Sequence, residues 1–326
     1  MSKFKVLVTR RIPNSGLKIL TETCDLDVFE WEAPISRDVL LKRIKGKDGL
    51  LCLLSDRIDM EIIAAGGESL KVISNYAVGY NNIDVEEATK RGILVTNTPG
   101  VLTDATADLT WALLLACARR IPKSDRFVRD GRFVGWSPTL LLGREVYWKT
   151  IGIIGLGDIG AAVARKAKGF GMKILYHSRK RDLEAEEELG AIYVSIEDLL
   201  KDSDYVSLHV PLTPETRHLI GEKEIAMMKS TAILLNASRG EVVDETALIK
   251  ALKEGRIDSA GLDVYEEEPV LSPGLAELEN VVLTPHTGSA TYEARDRMAV
   301  MAAENLVAGL RGERPRHLVN ASVWKD

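Results

Sequence analysis

The run Ile151-Gly-Ile-Ile-Gly155-Leu-Gly157-Asp-Ile-Gly160 passes from an apolar strand straight into a helix expected to begin near Asp158. Gly155, Gly157 and Gly160 stand at the spacing G-x-G-x-x-G, in which each glycine has its own task. One makes the tight turn, the second lets backbone approach a pyrophosphate, and the third lets helix and strand pack closely. The helix N-terminus then offers unpaired N–H groups to phosphate. Three glycines alone are weak evidence. Set between a strand and a helix, and followed by a further strand at Lys173–His177, they point to a dinucleotide-binding α/β domain.

The pattern extends in both directions from this run. Ahead of it, Phe4–Thr9, Leu26–Phe29, Gly49–Leu54, Val72–Asn75 and Leu94–Thr96 read as short strands, and Asn14–Thr23, Arg37–Ile44 and Val85–Lys90 as helices between them. Strands alternating with helices imply βαβ units and a parallel sheet covered on both faces. Thr98-Pro99-Gly100 breaks the series. A long helix is then expected from about Asp104 to Arg120, stopping near Pro122. Residues 123–149 read as irregular, but they carry Phe127, Phe133, Trp136, Tyr147 and Trp148. That aromatic load is high for a solvated connection and suits a subunit contact. After Thr150 the strands are Ile151–Gly155, Lys173–His177, Tyr205–His209, Ala232–Asn236, Ser259–Leu262 and Val281–Leu283, and Ala290–Leu310 is a closing helix.

At 326 residues two domains are the default. A content of 45% hydrophobic, 28% charged and 6% aromatic residues is that of an ordinary globular protein. The net charge of -5 argues against nucleic acid as the main partner, since phosphate binding needs a positive field. Cys24, Cys52 and Cys117 lie far apart in apolar runs. They fit neither a disulfide framework nor a zinc site and are expected to be reduced core residues. The first residues show no signal-peptide pattern, and the most apolar helix, Leu109–Ala118, is about half the length of a roughly twenty-residue span. The expectation is a cytoplasmic protein with no membrane partner and no metal.

Cofactor choice depends on the end of the second strand of the glycine-loop series. An NAD site usually places an acid about twenty residues after the glycines, on the ribose 2′-hydroxyl. Here the run is His177-Ser178-Arg179-Lys180-Arg181, and no carboxylate occurs before Asp182. Ser178, Arg179 and Lys180 suit a 2′-phosphate instead. Two charge-assisted hydrogen bonds of roughly 1.5–3 kcal/mol each would favour NADP about a hundredfold or more. NADP(H) is therefore the expected cofactor, with NAD(H) still usable.

Four more segments are Asn75-Tyr-Ala-Val78-Gly79-Tyr-Asn-Asn-Ile-Asp84, Leu235-Asn-Ala-Ser-Arg239-Gly-Glu-Val-Val-Asp244, Gly261-Leu-Asp263-Val-Tyr-Glu-Glu-Glu268-Pro269 and Leu283-Thr-Pro-His286-Thr-Gly288. With the glycine loop they resemble the D-isomer-specific 2-hydroxyacid dehydrogenase family over nearly the whole chain. Within it the glyoxylate/hydroxypyruvate reductases look nearest. The resemblance implies two doubly wound α/β domains, a Rossmann cofactor domain and a flavodoxin-like substrate domain, with the active site in the cleft. The substrate domain would combine residues 1–99 and 288–326, and the cofactor domain would span 100–287.

The residue types make chemical sense for reduction of a 2-oxo acid. Arg239 can hold the carboxylate bidentately and polarise the carbonyl. His286 can give a proton near neutral pH and take it back in reverse. Glu268, in the acidic run 266–268, would orient the imidazole and favour its charged form. His209 also ends a strand, but the resemblance puts that strand end beside the cofactor. His177 is explained by the ribose loop, while His218 and His317 sit in polar stretches with nothing convergent.

The resemblance further implies cofactor contacts from Thr106, Gly155, Leu156, Gly157, Asp158, Ile159, Gly160, Ser178, Arg179, Lys180, Val210, Pro211, Thr216, Ala237, Ser238, Asp263 and Gly288. Leu53, Val78 and Gly79 would join Arg239 and His286 on the substrate, with backbone N–H groups of Val78 and Gly79 on its carboxylate. A homodimer is also implied. Glyoxylate reductases often carry a second tryptophan four residues after the one matching Trp136. Leu140 stands there instead, which weakens a preference for glyoxylate over a bulkier 2-oxo acid. Phosphoglycerate or D-lactate dehydrogenase, and a dinucleotide-sensing corepressor-like binding protein, are the alternative readings. No additional regulatory domain or partner-binding tail is read in the chain to favour them.

Overall fold

The computed structural model describes residues 3–31 and 33–324. The chain divides into two compact units, Met1–Leu102 with Ala290–Asp326, and Thr103–Ser289.

In the first unit β1 (Phe4–Val8), β2 (Cys24–Val28), β3 (Gly49–Cys52), β4 (Val72–Asn75) and β5 (Leu94–Thr96) alternate with α1 (Asn14–Thr23), α2 (Arg37–Arg43), α3 (Met60–Gly66) and α4 (Val85–Lys90). All pairings are parallel, in the order β2-β1-β3-β4-β5. The order reverses direction between β1 and β3, so a ligand of this sheet belongs at their carboxyl ends. Gly49-Leu-Leu-Cys52 and Val72-Ile-Ser-Asn75 are buried throughout, as strands covered on both faces must be. Leu7, Leu50, Ile73 and Val95 form one core with residues of α2 to α4. Gly16 of α1 lies against the backbone of Ala299, where an added Cβ would come within 2.5 Å of a carbonyl oxygen. Leu53, expected within the strand, lies just beyond β3.

The second unit opens with α5 (Thr103–Ala118) and α6 (Ile121–Arg129). β6 (Thr150–Ile154), α7 (Asp158–Ala167), β7 (Lys173–His177), α8 (Leu183–Leu189), β8 (Ile192–Tyr193), α9 (Ile196–Asp202) and β9 (Tyr205–Leu208) follow. The unit continues with α10 (Glu222–Met227), β10 (Ile233–Asn236), α11 (Glu245–Lys253), β11 (Ser259–Leu262) and β12 (Val281–Leu283). Its seven strands are parallel in the order β12-β11-β10-β9-β6-β7-β8, with the reversal at β6. Successive side chains serve opposite faces. Ile233 and Leu235 pack with α5 and α7, whereas Leu234 packs with Leu199, Leu248 and Leu252 of α9 and α11. Trp111 pins α5 to α7 by donating its indole N–H to Val163 O at 3.1 Å, while its ring stacks on Phe170 at 4.7 Å. After this unit α12 (Tyr292–Leu310) returns to the first sheet.

Four expectations need correction. Residues 123–149 are not irregular throughout, because α6 runs to Arg129. Pro122 opens this helix rather than ending the previous one: its missing N–H costs nothing in a first turn, and the bend is taken by Arg120 at φ 54°. The expected strand Ile151–Gly155 ends at Ile154, because Gly155 turns to φ +95°. The closing helix starts at Tyr292, where the Thr291 hydroxyl caps it by accepting from Ala294 N at 3.1 Å. All three cysteines are free and buried, as expected.

Candidate active site

The glycine loop sits at the end of β6, where the strand order reverses, and its three glycines are distinct in space. A Cβ on Gly155 would lie 2.6 Å from His209 O, and one on Gly160 only 2.1 Å from Gly155 O. The chain itself forbids a side chain at both. At Gly157 a Cβ would meet nothing within 4 Å. Leu156 N donates to Ser178 Oγ at 2.7 Å, tying the loop to the end of β7. No side chain caps α7, so the N–H groups of Asp158, Ile159 and Gly160 at its first turn are left for an external acceptor. These residues fit a dinucleotide pyrophosphate.

Beyond β7, Arg179 and Lys180 are exposed and Ser178 is half-buried. Arg181 forms two 2.7 Å hydrogen bonds to Glu186, and Asp182 caps α8 by accepting from Ala185 N at 3.0 Å. The first carboxylate after this strand is thus committed to a helix. His177 bonds Val194 O through Nδ1 at 2.9 Å. Val210 lies beside Gly155, and the Thr216 hydroxyl closes its own turn by donating to Pro211 O at 2.6 Å.

The candidate catalytic groups follow β10, β11 and β12. Buried Asn236 ends β10; its Nδ2 donates to Arg239 O at 2.8 Å and its Oδ1 accepts from Ser238 N and Oγ at 3.1 and 2.8 Å. Ala237 and Ser238 are half-buried in this turn. The Arg239 guanidinium donates to Ser238 O at 2.7 Å. Burial lowers its pKa, against the raising influence of Glu268 and Glu241.

Asp263, 1% exposed, follows β11 and holds the next turn. It accepts from Thr284 Oγ1 at 2.6 Å, Thr287 N at 2.7 Å, Thr287 Oγ1 at 3.2 Å and Gly288 N at 2.7 Å. Thr106 of α5 is buried against Gly288. His286 occupies this turn at φ +53°, a region few side chains adopt without a surrounding structure to hold them. Its N–H donates to Asp263 O at 2.9 Å. Its Nδ1 lies 2.8 Å from Glu268 Oε2, while Glu268 Oε1 accepts from Tyr265 N at 3.0 Å. Burial acts to raise the Glu268 pKa, but the hydrogen bond and charge of His286, with Tyr265 N and Arg239, outweigh it and leave it lowered.

His209 differs sharply. Its Nε2 bonds Ser207 Oγ at 2.8 Å, and burial pushes its pKa down to about 4. Such a group is neutral at physiological pH and is a poor proton donor. His218 requires a correction: it does have a convergent partner, Glu266 Oε1 at 2.5 Å, with Arg217 3.8 Å from the same oxygen. In the first unit, Asn97 Nδ2 donates to Val78 O and Asn75 Nδ2 to Gly79 O, both at 2.8 Å. The N–H groups of Val78 and Gly79 find no protein acceptor among the described residues. Leu53 O accepts from Asn82 Nδ2 at 3.1 Å.

Asn236 and Tyr265 are not among the residues the sequence points to, although each organises a turn of the candidate site. The Tyr265 hydroxyl donates to Thr284 O at 2.8 Å, joining the Glu268 turn to the His286 turn. An asparagine closing the apolar run Ile233-Leu-Leu-Asn236 was the available signal for the first. Among the described residues no group of three or more His, Cys, Asp or Glu is placed to hold a metal ion. None of the described helices is long and apolar enough to cross a membrane.

Comparison with known proteins bears on this arrangement. A family model described as D-isomer specific 2-hydroxyacid dehydrogenase, NAD binding domain, matches residues 111–288. The glyoxylate reductase of Thermococcus litoralis is 57% identical over 325 residues, covering 98% of each chain. A protein of Thermus thermophilus has a solved structure that superimposes with a TM-score of 0.91 at 46% identity, covering 97% of this chain and 99% of its own. The NADPH-dependent glyoxylate/hydroxypyruvate reductase of Sinorhizobium meliloti, solved with NADP and malonate, gives a TM-score of 0.87 at 32% identity, covering 100% of this chain and 99% of its own.

Proposed function

The chain belongs to the D-isomer-specific 2-hydroxyacid dehydrogenase family, and from that membership we propose that it reduces glyoxylate or hydroxypyruvate to the D-2-hydroxy acid, with NADP(H) preferred. The observation that carries the reading is the 2.8 Å contact between His286 Nδ1 and Glu268 Oε2. A carboxylate only accepts, so Nδ1 holds a proton and Nε2 is left to carry the one that moves. When bound, the reduced nicotinamide supplies a hydride to the carbonyl carbon. His286 Nε2 delivers its proton to the oxygen that becomes the hydroxyl and recovers one in the oxidative direction. Glu268 keeps the ring oriented and supports its cationic form. Arg239 binds the substrate carboxylate and draws charge onto the carbonyl oxygen. Val78 and Gly79 add backbone N–H groups to that carboxylate, and Leu53 contacts the substrate beside them.

For the dinucleotide, the loop from Gly155 to Gly160 takes the pyrophosphate. Thr106, Val210, Pro211, Thr216, Ala237, Ser238, Asp263 and Gly288 line the rest of its path. The preference for NADP(H) is supported by exposed Arg179 and Lys180 and by Asp182, which is engaged as a helix cap and is not free for a ribose hydroxyl. The reading includes a cytoplasmic homodimer joined through residues 123–149 and the cofactor domains. In its support, Val134 and Trp136 are 98% and 84% exposed, with Val128, Phe133 and Trp148 also uncovered. The test is steady-state turnover on a panel of 2-oxo acids with NADPH and NADH. Turnover of glyoxylate and hydroxypyruvate, faster with NADPH, is expected. A preference for pyruvate or phosphohydroxypyruvate, or cofactor binding without turnover, would overturn it.

A further inference from the structure

Glu245 is a carboxylate that the chemistry above does not use, yet it is only 2% exposed. It opens α11, immediately after the capping residue Asp244. Its Oε1 accepts from Glu266 N at 2.9 Å and its Oε2 from the Ser272 hydroxyl at 2.5 Å. Glu266 and Ser272 flank Glu268 on either side within the connection from β11 to β12. Glu266 returns the contact, its Oε2 accepting from Glu245 N at 3.4 Å. The outer side of the loop is solvated: Glu267, Pro269 and Val270 are exposed, and the loop's own turn is closed by Val270 N donating to Glu267 O at 2.8 Å. Its inward attachments therefore have most of the work of holding it.

Those attachments lie close to the reacting groups. Gly240, next to Arg239, packs so tightly on the Tyr265–Glu266 peptide that an added Cβ would come within 1.9 Å of it. A carboxylate held out of water is retained only where its acceptors are satisfied, and here both oxygens are used on a single loop. We propose that Glu245 is a positioning residue for the Glu268–His286 pair: it clamps both ends of residues 266–272 and so sets where Glu268 meets the imidazole. The inference rests on reading that pair as the acid–base machinery, although the clamp itself can be tested without turnover.

The experiment compares Glu245→Leu, Glu245→Gln and Ser272→Ala by kinetics and crystallography of the cofactor-free proteins. Misplacing a reacting group by an ångström costs up to about a hundredfold. Glu245→Leu should accordingly lose about ten- to a hundredfold in kcat with KM for the 2-oxo acid and cofactor affinity unchanged. Glu245→Gln should recover most of that loss, because its amide oxygen still accepts from Glu266 N and its NH2 donates to the Ser272 hydroxyl. Ser272→Ala should move kcat the same way by a smaller factor. In crystals the Glu268–His286 contact, 2.8 Å here, should open in Glu245→Leu and persist in Glu245→Gln. If Glu245→Leu does not fold, Ser272→Ala decides by the same two readouts. An unchanged kcat, an equal loss in Leu and Gln, or an intact contact in Glu245→Leu overturns the proposal. If the wild type reduces no 2-oxo acid, the functional reading fails, and the crystallographic comparison still decides the clamp.

Discussion

Replacing Gly157 and Gly160 separately by alanine should split two properties that the glycine loop combines. At Gly160 the new methyl would begin 2.1 Å from Gly155 O, and no real Cβ comes closer than about 3.0 Å, so backbone must retreat by about 0.9 Å. Because the obstacle is a carbonyl on the turn rather than a flexible side chain, the cost falls at the upper end of the 1–3 kcal/mol typical of overpacking. For a unit of this size about 3 kcal/mol corresponds to a Tm lower by roughly 6–12 °C. At Gly157 the backbone, φ -87° and ψ -166°, suits any L-residue, and nothing in the chain meets the methyl. Stability there should hold or rise by about 0.4–1 kcal/mol through a stiffer unfolded chain. The methyl instead occupies the approach to the pyrophosphate. Losing one charge-assisted hydrogen bond of roughly 1.5–3 kcal/mol weakens the dinucleotide about ten- to a hundredfold. Thermal unfolding without cofactor and a fluorescence titration with NADPH measure the two effects. Wild-type NADPH affinity in Gly157→Ala, or an unshifted Tm in Gly160→Ala, would refute the assignment of these two roles.

Arg179→Ala should lose activity with NADPH far more than with NADH; equal losses would mean that Arg179 does not read the 2′-phosphate. Sedimentation at micromolar concentration should give a dimer mass, and a fully active monomer contradicts the subunit contact through residues 123–149. The half-buried His209 also predicts how stability varies with pH. Its folded pKa of about 4 lies below the ordinary 6.5, so the unfolded chain binds the proton more readily between those values. The stability is complete above about pH 6.5 and declines as pH falls towards 4, by up to about 3 kcal/mol. Urea unfolding of His209→Gln at both ends of that window should show a shallower decline than the wild type, and parallel curves would remove His209 as the cause.

What the sequence made legible was local. Gly155, Gly157 and Gly160 lie within six residues and act on one turn, and buried parallel strands such as Ile233-Leu-Leu-Asn236 announce themselves as apolar runs between turns. Arg239, Glu268 and His286 lie far apart in the chain. They group together because each follows a strand of one parallel sheet, whose carboxyl ends share an edge, and because the motifs around them resemble one family. What stayed hidden depends on tertiary neighbours. His218 and Glu266 are separated by 48 residues, and no local pattern links a histidine in a polar turn to one acid of a run of three. Glu245 looks like an ordinary first-turn helix acid until Ser272 and Glu266 close over it. The strand β8, Ile192–Tyr193, is exposed and only two residues long, too short for a periodic pattern to mark it. Pro122 is ambiguous in sequence because proline ends one helix and begins another with equal ease, and only the backbone of Arg120 distinguishes the two.

The central claim is that His286, oriented by Glu268, delivers the proton during reduction of a small 2-oxo acid. It is tested most directly by turnover of glyoxylate with NADPH in His286→Ala, alongside an NADPH titration of the same protein. The expected result is a rate lower by roughly a hundred- to ten-thousandfold, the scale of a lost general acid, with NADPH affinity retained. Near-wild-type turnover in the folded, NADPH-binding variant would contradict the account and return the proton to water or to another group.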